Sequence, residues 1–316
     1  MKKITLMFPG QGSQKIGMGK ELYQTFSVAK EVFQEIDNSL GQNLSQLMFD
    51  GDFDELTQTE NAQPALMAVS LAIMRVIEAE SKKNLNEFTN FVCGHSLGEY
   101  SALAAAKAIS ISDCAKILKI RGDAMANAGK NSNGAMAAII GVDIATAKKI
   151  ANKSAEGDIC EIANDNSTGQ VVLSGDMAAI ERALIIAKEL GAKIAIKLPV
   201  SGAFHSSLIK PAESKLKDGL DSIVLLKPEV NLIANVTADI TSDPLEIKDL
   251  LLRQLTSVVR WRESIQYLSN NGHFNLAEIG SGKVLSGLAK RSDRNFQINS
   301  VETPSQISEF IEQNLV

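Results

Sequence analysis

The sequence predicts an α/β fold in which one α/β domain is interrupted by a small inserted domain. Short apolar runs of strand length alternate with longer stretches of helical pattern along most of the chain. Between residues 135 and 198 the predicted elements follow the order βαββαβ, which is typical of ferredoxin-like domains. The composition is that of a globular protein, with 45% hydrophobic and 22% charged residues in a chain of 316.

The first part of the chain, residues 1–128, contains the first predicted elements of the larger domain. Strands are predicted at 4–8 and 88–93, and helices at 65–79, 99–108 and 112–128. Pro64 is expected to open the first of these helices, where its missing N–H costs no hydrogen bond. Ser112 or Asp113 is expected to cap the third helix.

The inserted domain is assigned to residues 129–199, and residues 200–316 return to the larger domain. The polar segment 129–134 predicts a linker, and strands are predicted at 135–140, 159–163, 170–174 and 193–198. Helices are predicted at 144–153 and 177–190. Beyond the insertion, strands are predicted at 231–235 and 275–279, and helices at 207–219, 245–255, 261–269 and 284–290.

Charge and cysteine content exclude several classes of protein. The net charge is −5, which argues against a general nucleic-acid binder. The three cysteines form no CxxC pair, so we expect neither a disulfide framework nor a zinc site and favour a reducing, cytoplasmic location. The apolar run 4–8 is too short for a signal peptide, and no run approaches the roughly 18 apolar residues of a membrane span.

A G-x-S-x-G sequence, Gly94-His95-Ser96-Leu97-Gly98, lies between a predicted strand and a predicted helix. That context is required of the nucleophile elbow of an α/β-hydrolase-like domain, with Ser96 as nucleophile. The backbone N–H of Leu97 would then face the site where an oxyanion forms. The alternative is a glycine-rich turn in which Ser96 only caps the helix.

A serine nucleophile needs a base, and the chain contains only three histidines. His95 adjoins Ser96 in the tight turn and is expected to point away from it, and His273 lies in a polar turn at the surface. His205 lies at the junction of the two predicted domains, and such junctions commonly line active sites. His205 is therefore the candidate base, unless it only caps or packs. No carboxylate is recognisable as a third member, so a backbone carbonyl could orient the imidazole.

Arg121 lies on an otherwise apolar helix face with Cys114, Leu118 and Met125. It either reaches solvent or a structural carboxylate, or it holds the carboxylate of a substrate through its planar guanidinium. The loop Gly10–Ser13 could bring a backbone N–H close to a ligand, but it is a poor dinucleotide-binding fingerprint.

Five ordered motifs together resemble one family, the malonyl-CoA:acyl carrier protein transacylases of type II fatty acid synthesis. The resemblance covers essentially the whole chain, including the ferredoxin-like insertion. The motifs are Pro9-Gly10-Gln11-Gly12-Ser13-Gln14, Gly94-His95-Ser96-Leu97-Gly98-Glu99-Tyr100, Arg121-Gly122, Gly202-Ala203-Phe204-His205-Ser206 and Gln254-Leu255-Thr256-Ser257.

The resemblance implies a role for each candidate residue. Ser96 would be the nucleophile and His205 its base, while the backbone N–H groups of Gln11 and Leu97 would form the oxyanion hole. Arg121 would hold the malonyl carboxylate, and the backbone carbonyl of Gln254 would orient the base. Phe204 beside the histidine implies malonyl rather than methylmalonyl. Neither a metal nor a cofactor is implied beyond the coenzyme A thioester substrate.

The implied macromolecular partner is acyl carrier protein, which is typically acidic and would need a basic patch on this acidic chain. Two segments, 188–210 and 283–294, each contain four basic residues and one acidic residue. The candidate contacts are Lys193, Lys197, Lys290 and Arg291, although either segment could be an ordinary solvated surface. We expect a monomer that binds neither nucleic acid nor membrane.

Three other functions share parts of this pattern. A serine esterase or thioesterase would use the same elbow, but it would need a carboxylate and no Arg121. A discrete acyltransferase of a polyketide synthase would differ only in its carrier and extender unit. A non-catalytic interaction protein would have no use for serine, histidine and arginine in one pattern.

Overall fold

The described residues form two sheets, and the smaller one is built from a segment inserted between strands of the larger one. A computed structural model describes residues 3–200 and 202–316. The larger sheet has the order β10-β9-β1-β2-β7-β8 and is parallel except for the antiparallel edge pair β7–β8. Its strands are β1 (Ile4–Phe8), β2 (Thr89–Gly94), β7 (Asn231–Ile233), β8 (Ile240–Thr241), β9 (Asn275–Ile279) and β10 (Gln297–Val301).

The smaller sheet is antiparallel, with the order β4-β5-β3-β6. Its elements in chain order are β3 (Gly134–Ile140), α9 (Ile144–Ala155), β4 (Cys160–Ser167), β5 (Gln170–Asp176), α10 (Met177–Glu189) and β6 (Ile194–Lys197). The two helices and the sheet enclose their own apolar core, which includes Ile139, Ile150 and Leu173. The predicted α/β fold with a βαββαβ insertion is confirmed. The division into 1–128, 129–199 and 200–316 stays a prediction.

Helices cover both faces of the larger sheet. Before the insertion they are α1 (Lys20–Thr25), α2 (Ser27–Leu40), α3 (Leu44–Asp50), α4 (Phe53–Thr57), α5 (Thr59–Ser81), α6 (Leu85–Phe88), α7 (Gly98–Ala105) and α8 (Ile111–Lys130). After it they are a 3₁₀ turn (Ser207–Ala212), α11 (Glu213–Asp221), α12 (Pro244–Gln254), α13 (Trp261–Asn270), α14 (Val284–Ser292) and α15 (Pro304–Asn314). The four helices between residues 20 and 57, together with α6, β8, β10 and α15, have no counterpart among the elements predicted from sequence.

Helix α5 differs from the prediction in its start and its length. It begins at Thr59, so Pro64 lies inside the helix rather than at its opening. The first turn of α5 packs closely on α8, since a Cβ on Gly122 of α8 would lie 2.5 Å from the Glu60 Cα. By length and composition the helix could cross a membrane, contrary to the expectation that no segment could, since an 18-residue window has a mean hydropathy of 1.3. Of that window 83% is buried inside the protein, so α5 is a core helix.

The boundaries of α8 were also predicted wrongly. The helix begins at Ile111, and its cap is Ser110, whose hydroxyl accepts a hydrogen bond from the Asp113 N–H at 3.0 Å. It continues to Lys130, so the predicted linker 129–134 is largely the end of this helix and the following turn. Only residues 131–133 therefore connect the end of α8 to the start of β3.

Candidate active site

The turn after β2 places Ser96 at the carboxyl edge of the parallel sheet, and its glycines are required by close packing. A Cβ on Gly94 would lie 1.9 Å from the Gly98 carbonyl oxygen, and one on Gly98 would lie 2.2 Å from that of Phe8. Ser96 itself adopts a left-handed backbone with φ of 54°. Its N–H donates to Asn235 Oδ1 at 2.8 Å, which fixes this strained turn. The geometry is that of a nucleophile elbow.

His205 lies within hydrogen-bond distance of the serine. Its Nε2 is 2.8 Å from Ser96 Oγ, and its Nδ1 is 2.9 Å from the backbone carbonyl oxygen of Gln254. Because a carbonyl oxygen only accepts, Nδ1 carries the proton and Nε2 is left to accept the serine hydroxyl. Burial, followed by the positive charge of Arg121, lowers the pKa of His205 to about 3. The imidazole is therefore neutral at physiological pH.

The guanidinium of Arg121 is buried against the same serine. Its Nη2 donates to Ser96 Oγ at 3.1 Å and to Gln254 Oε1 at 2.9 Å, and its Nη1 donates to Gln63 Oε1 at 2.6 Å. Only 1% of the residue is exposed, so it reaches neither solvent nor, among the described residues, a carboxylate in direct contact. Burial lowers the pKa of Arg121 from its usual value.

Gln254 at the end of α12 connects these groups through both its backbone and its side chain. Its carbonyl accepts from His205, its Oε1 accepts from Arg121, and its Nε2 donates to the Ser96 carbonyl oxygen at 3.0 Å. The same Nε2 also donates to Glu99 Oε2 at 2.5 Å. The side-chain amide therefore has a defined orientation, with its oxygen toward the cation and its nitrogen toward the carboxyl group.

Four buried polar residues around the site were not identified from the sequence: Gln63, Glu99 and Asn235 in this network, and Asn166 beside His95. Each contributes a side-chain amide or carboxyl group that is at most 8% exposed. Burial raises the pKa of Glu99 to about 7, although hydrogen bonds from Gln254 and Asn235 and the charge of Arg121 oppose the shift. The available sequence signal for Glu99 was its position as the one acidic residue of the helix GEYSALAA, whose other residues are mostly small or apolar.

The cavity above Ser96 has a volume of about 380 Å³. From the larger unit its walls include Gln11, Leu97, Arg121, Phe204 and His205. Met136 and Asn164 of the smaller sheet close the opposite side. The structure thus brings all the predicted site residues together, with Gln254 directly behind His205.

A second cavity of about 740 Å³ lies on another side of His205, between α9, β4 and the 3₁₀ turn. Lys148, Glu161 and Lys210 line it, whereas Ser96 and Arg121 do not. Ser96 is therefore accessible from the smaller cavity.

Among the described residues, neither of the other two histidine rings is hydrogen-bonded to Ser96, although His95 lines the same cavity. His95 points toward the smaller unit, where its Nε2 is 2.8 Å from Asn166 Oδ1. His273 packs its ring 4.8 Å from that of Phe91 and is half-buried rather than fully solvated. The edge contact with the aromatic ring explains the difference from the predicted surface position.

Comparison with known proteins identifies relatives over almost the whole chain. Residues 5–298 match the acyl transferase domain family. A Bacillus subtilis (strain 168) protein named malonyl CoA-acyl carrier protein transacylase is 47% identical over 308 residues, covering 97% of this chain and 96% of the relative.

Solved structures extend the similarity to three dimensions. The acyl-carrier-protein-S-malonyltransferase of Bartonella henselae superposes with a TM-score of 0.96 at 47% identity, covering 100% of both chains. A malonyl-transacylase in complex with its type II polyketide synthase acyl-carrier protein superposes with a TM-score of 0.95 at 37% identity, covering 99% of this chain and 100% of the other. Given this coverage and identity, the chain belongs to the acyl transferase domain family and is an acyltransferase.

Proposed function

We propose that the protein transfers a malonyl group from malonyl-CoA to the phosphopantetheine thiol of acyl carrier protein, through a malonyl ester of Ser96. The observation that carries this proposal is the convergence of two groups on one hydroxyl. The neutral imidazole of His205 lies 2.8 Å from Ser96 Oγ, and the buried cation of Arg121 lies 3.1 Å from it. The first suits a general base, and the second suits a carboxylate on the acyl group.

In the first half-reaction Ser96 Oγ attacks the thioester carbonyl carbon while His205 Nε2 accepts the hydroxyl proton. The positive charge of Arg121 disfavours the imidazolium that forms. A malonyl carboxylate bound to that guanidinium offsets this effect, so malonyl makes His205 a stronger base than an uncharged acyl group does. His205 then returns the proton to the departing coenzyme A thiolate.

The developing oxyanion is assigned to the backbone N–H groups of Gln11 and Leu97. Both residues line the cavity with Ser96. Within the described part of the chain, neither N–H donates a hydrogen bond to another protein group, so both are available to a ligand. One such donor typically lowers the barrier by about 3–4 kcal/mol.

The second half-reaction reverses the first with a different thiol. His205 removes the proton of the phosphopantetheine thiol, whose sulfur attacks the ester carbonyl, and Ser96 leaves with the proton restored. Arg121 holds the malonyl carboxylate throughout, and Phe204 in the cavity wall limits room for an α-methyl group. These steps need only groups of this chain and its two substrates.

The carrier protein is proposed to approach past β6. Lys193 and Lys197 are exposed at this edge strand, which leads directly into Leu198, Pro199 and Val200 of the cavity wall. Lys197 donates only to the Met177 sulfur, a weak acceptor, at 3.8 Å, whereas Lys290 donates to the Phe296 carbonyl oxygen and Arg291 to Gln170. The edge at β6 is therefore the better placed basic surface for an acidic partner.

A polyketide carrier remains the second candidate acceptor. The malonyl-transacylase solved in complex with a type II polyketide acyl-carrier protein supports this alternative, because its fold superposes closely on that of this chain. The chemistry at Ser96 is the same for both carriers. Comparing transfer rates to carrier proteins of the two pathways distinguishes them.

The acyl-enzyme is tested by incubating the protein with malonyl-CoA and measuring its intact mass. We expect one malonyl adduct, located on Ser96 by peptide mapping, and none in Ser96→Ala. The adduct should disappear on addition of carrier protein, with malonyl appearing on the carrier. An adduct that persists in Ser96→Ala would contradict the assignment of the nucleophile.

The same experiment without carrier protein separates a transferase from a hydrolase. A transferase holds the ester, whereas a thioesterase releases malonate at a rate comparable with acylation. Rapid release of malonate to water in the absence of any acceptor would overturn the proposed function.

A further inference from the structure

The guanidinium of Arg121 is a buried charge whose direct partners are all neutral. They are the side-chain oxygens of Gln63, Gln254 and Ser96. A buried cation of this kind normally requires a compensating anion. In the free enzyme the negative charge closest along the hydrogen-bond network is that of Glu99, one amide group away through Gln254.

Glu99 is as deeply buried as the cation that it faces. It is 1% exposed, and its Oε2 accepts from Gln254 Nε2 at 2.5 Å and from the Asn235 N–H at 3.3 Å. The other titratable groups near it are Cys93 of β2 and Tyr100 of its own helix. Burial raises the pKa of both the thiol and the phenol, so both are neutral, and Arg121 is the charged neighbour of Glu99 among the residues that the structure describes.

We propose that Glu99 takes up a proton when the malonyl carboxylate binds Arg121, so that one anion replaces another as the partner of the buried guanidinium. This inference rests on the proposed function, since it needs a substrate carboxylate at Arg121. Glu99 touches neither substrate nor reacting atom and acts through Gln254, as a positioning residue. The site then accepts an acidic acyl group without holding two anions beside one cation.

Electrostatics determines how the affinity for malonyl depends on pH. In the free enzyme the pKa of Glu99 is about 7, so the group is partly ionised at neutral pH. A second carboxylate bound to Arg121 disfavours the ionised form and raises this pKa further. Affinity for malonyl should therefore fall as pH rises through 7. The hydrogen bond from Gln254 survives protonation, because a carboxylic acid keeps its carbonyl oxygen as an acceptor.

The first test measures protons taken up by the wild-type protein during acylation, using an indicator dye and normalising to coenzyme A released. Exchange of serine hydroxyl for thiol is itself proton-neutral at pH 7.5, and the phosphates of coenzyme A are common to both donors. A one-unit rise in the pKa of Glu99 gives uptake of about half a proton per malonyl group at pH 7.5. Acetyl-CoA, which lacks the carboxylate, should give none.

The second test compares pH profiles of kcat/KM for the acylation half-reaction, which report the protonation of the free enzyme. For the wild type, kcat/KM for malonyl-CoA should fall about tenfold between pH 6.5 and 9, through KM. The profile for Glu99→Gln should be flat, because the amide mimics the protonated acid. Glu278→Gln removes another buried carboxyl group of raised pKa, one that caps α14, and should keep the wild-type profile.

Equal proton uptake for malonyl and acetyl groups overturns the inference, as does a wild-type pH profile in a folded Glu99→Gln. The measurement of proton uptake uses only the wild-type protein. It therefore tests protonation of Glu99 even when Glu99→Gln fails to fold. Absence of a malonyl adduct on Ser96 in the wild type is a different result, and it contradicts the proposed function instead.

Discussion

The two units of the protein contribute to the site in different ways. The larger unit supplies the proposed nucleophile, the proposed base and the buried arginine, which are held by side-chain amides and by the backbone carbonyl of Gln254. The smaller unit supplies cavity walls, Met136 and Asn164, together with the contact from Asn166 to His95. Polar groups that must be held within a few tenths of an ångström therefore lie at the ends of parallel strands, while the insertion shapes and closes the cavity.

Hydrogen bonds from Val259 and α13 to β4 connect the two units, and we call this contact the joint. Val259 joins β4 through backbone hydrogen bonds, donating to Ala163 and accepting from Asp165 at 2.9 and 3.0 Å. The guanidinium of Arg262, in α13, donates three hydrogen bonds of 2.7 to 3.0 Å to the carboxylate of Asp165. The bidentate geometry fixes orientation as well as distance, so the smaller unit is held in register over Ser96.

The largest expected effect is on the rate of acylation and comes from substitution of Arg121 in the larger unit. Arg121→Ala should lower kcat/KM for malonyl-CoA at least 100-fold, because it removes about 3 kcal/mol of charge-assisted hydrogen bonding to the carboxylate. The loss for acetyl-CoA should be smaller, since only the contact with Ser96 is removed. Initial rates with the two thioesters measure the difference.

Arg121→Lys should behave nearly as Arg121→Ala, because one ammonium cannot replace the planar fork that reaches Gln63, Gln254 and Ser96 together. Arg75→Ala, an exposed arginine of α5, is the matched control and should leave both rates unchanged. Equal losses for malonyl and acetyl would contradict a carboxylate-binding role.

An intermediate effect is expected at the joint. Arg262→Ala leaves the Asp165 carboxylate, whose side chain is only 3% exposed, without its ion-pair partner. We expect a loss of about 2–3 kcal/mol in the free energy of unfolding, measured by urea titration. Arg253→Ala breaks an exposed ion pair in which the side chains of Arg253 and Asp249 are 55% and 61% exposed. This variant should lower the free energy of unfolding by less than about 1 kcal/mol. Similar values for the two variants would show that the joint adds little stability.

The smallest effect is expected at the surface of the smaller unit. Lys193→Glu should raise KM for the carrier protein about three- to tenfold and leave acylation by malonyl-CoA unchanged, since an exposed charge mainly affects encounter with an acidic partner. The effect should shrink at high ionic strength. Lys116→Glu, at an exposed position of α8, is the control. Unchanged transfer in Lys193→Glu would remove β6 from the docking surface.

Local sequence patterns were sufficient for much of the fold and for the central residues of the site. The βαββαβ order of the insertion was readable because alternation and helical periodicity are local properties. The same holds for the elbow, where Gly94 and Gly98 mark a turn that only glycine tolerates. The helices between 20 and 57 and the true start of α5 were not predicted. Local end signals are present, since Gly41 ends α2 in a left-handed conformation and Asp52 caps α4, but this region lacked a strand or helix pattern strong enough to be assigned from the sequence.

By itself, the sequence determined that a serine follows a strand in a glycine-bounded turn, that only three histidines could serve it, and that Arg121 lies on an apolar helix face. Only the tertiary structure decided which groups surround them. Gln254 is 158 residues from Ser96 and 155 from Glu99 along the chain, yet one amide contacts both. Contacts over such separations depend on how helices and strands pack, because periodicity assigns a residue to a face and not to its neighbours across the core.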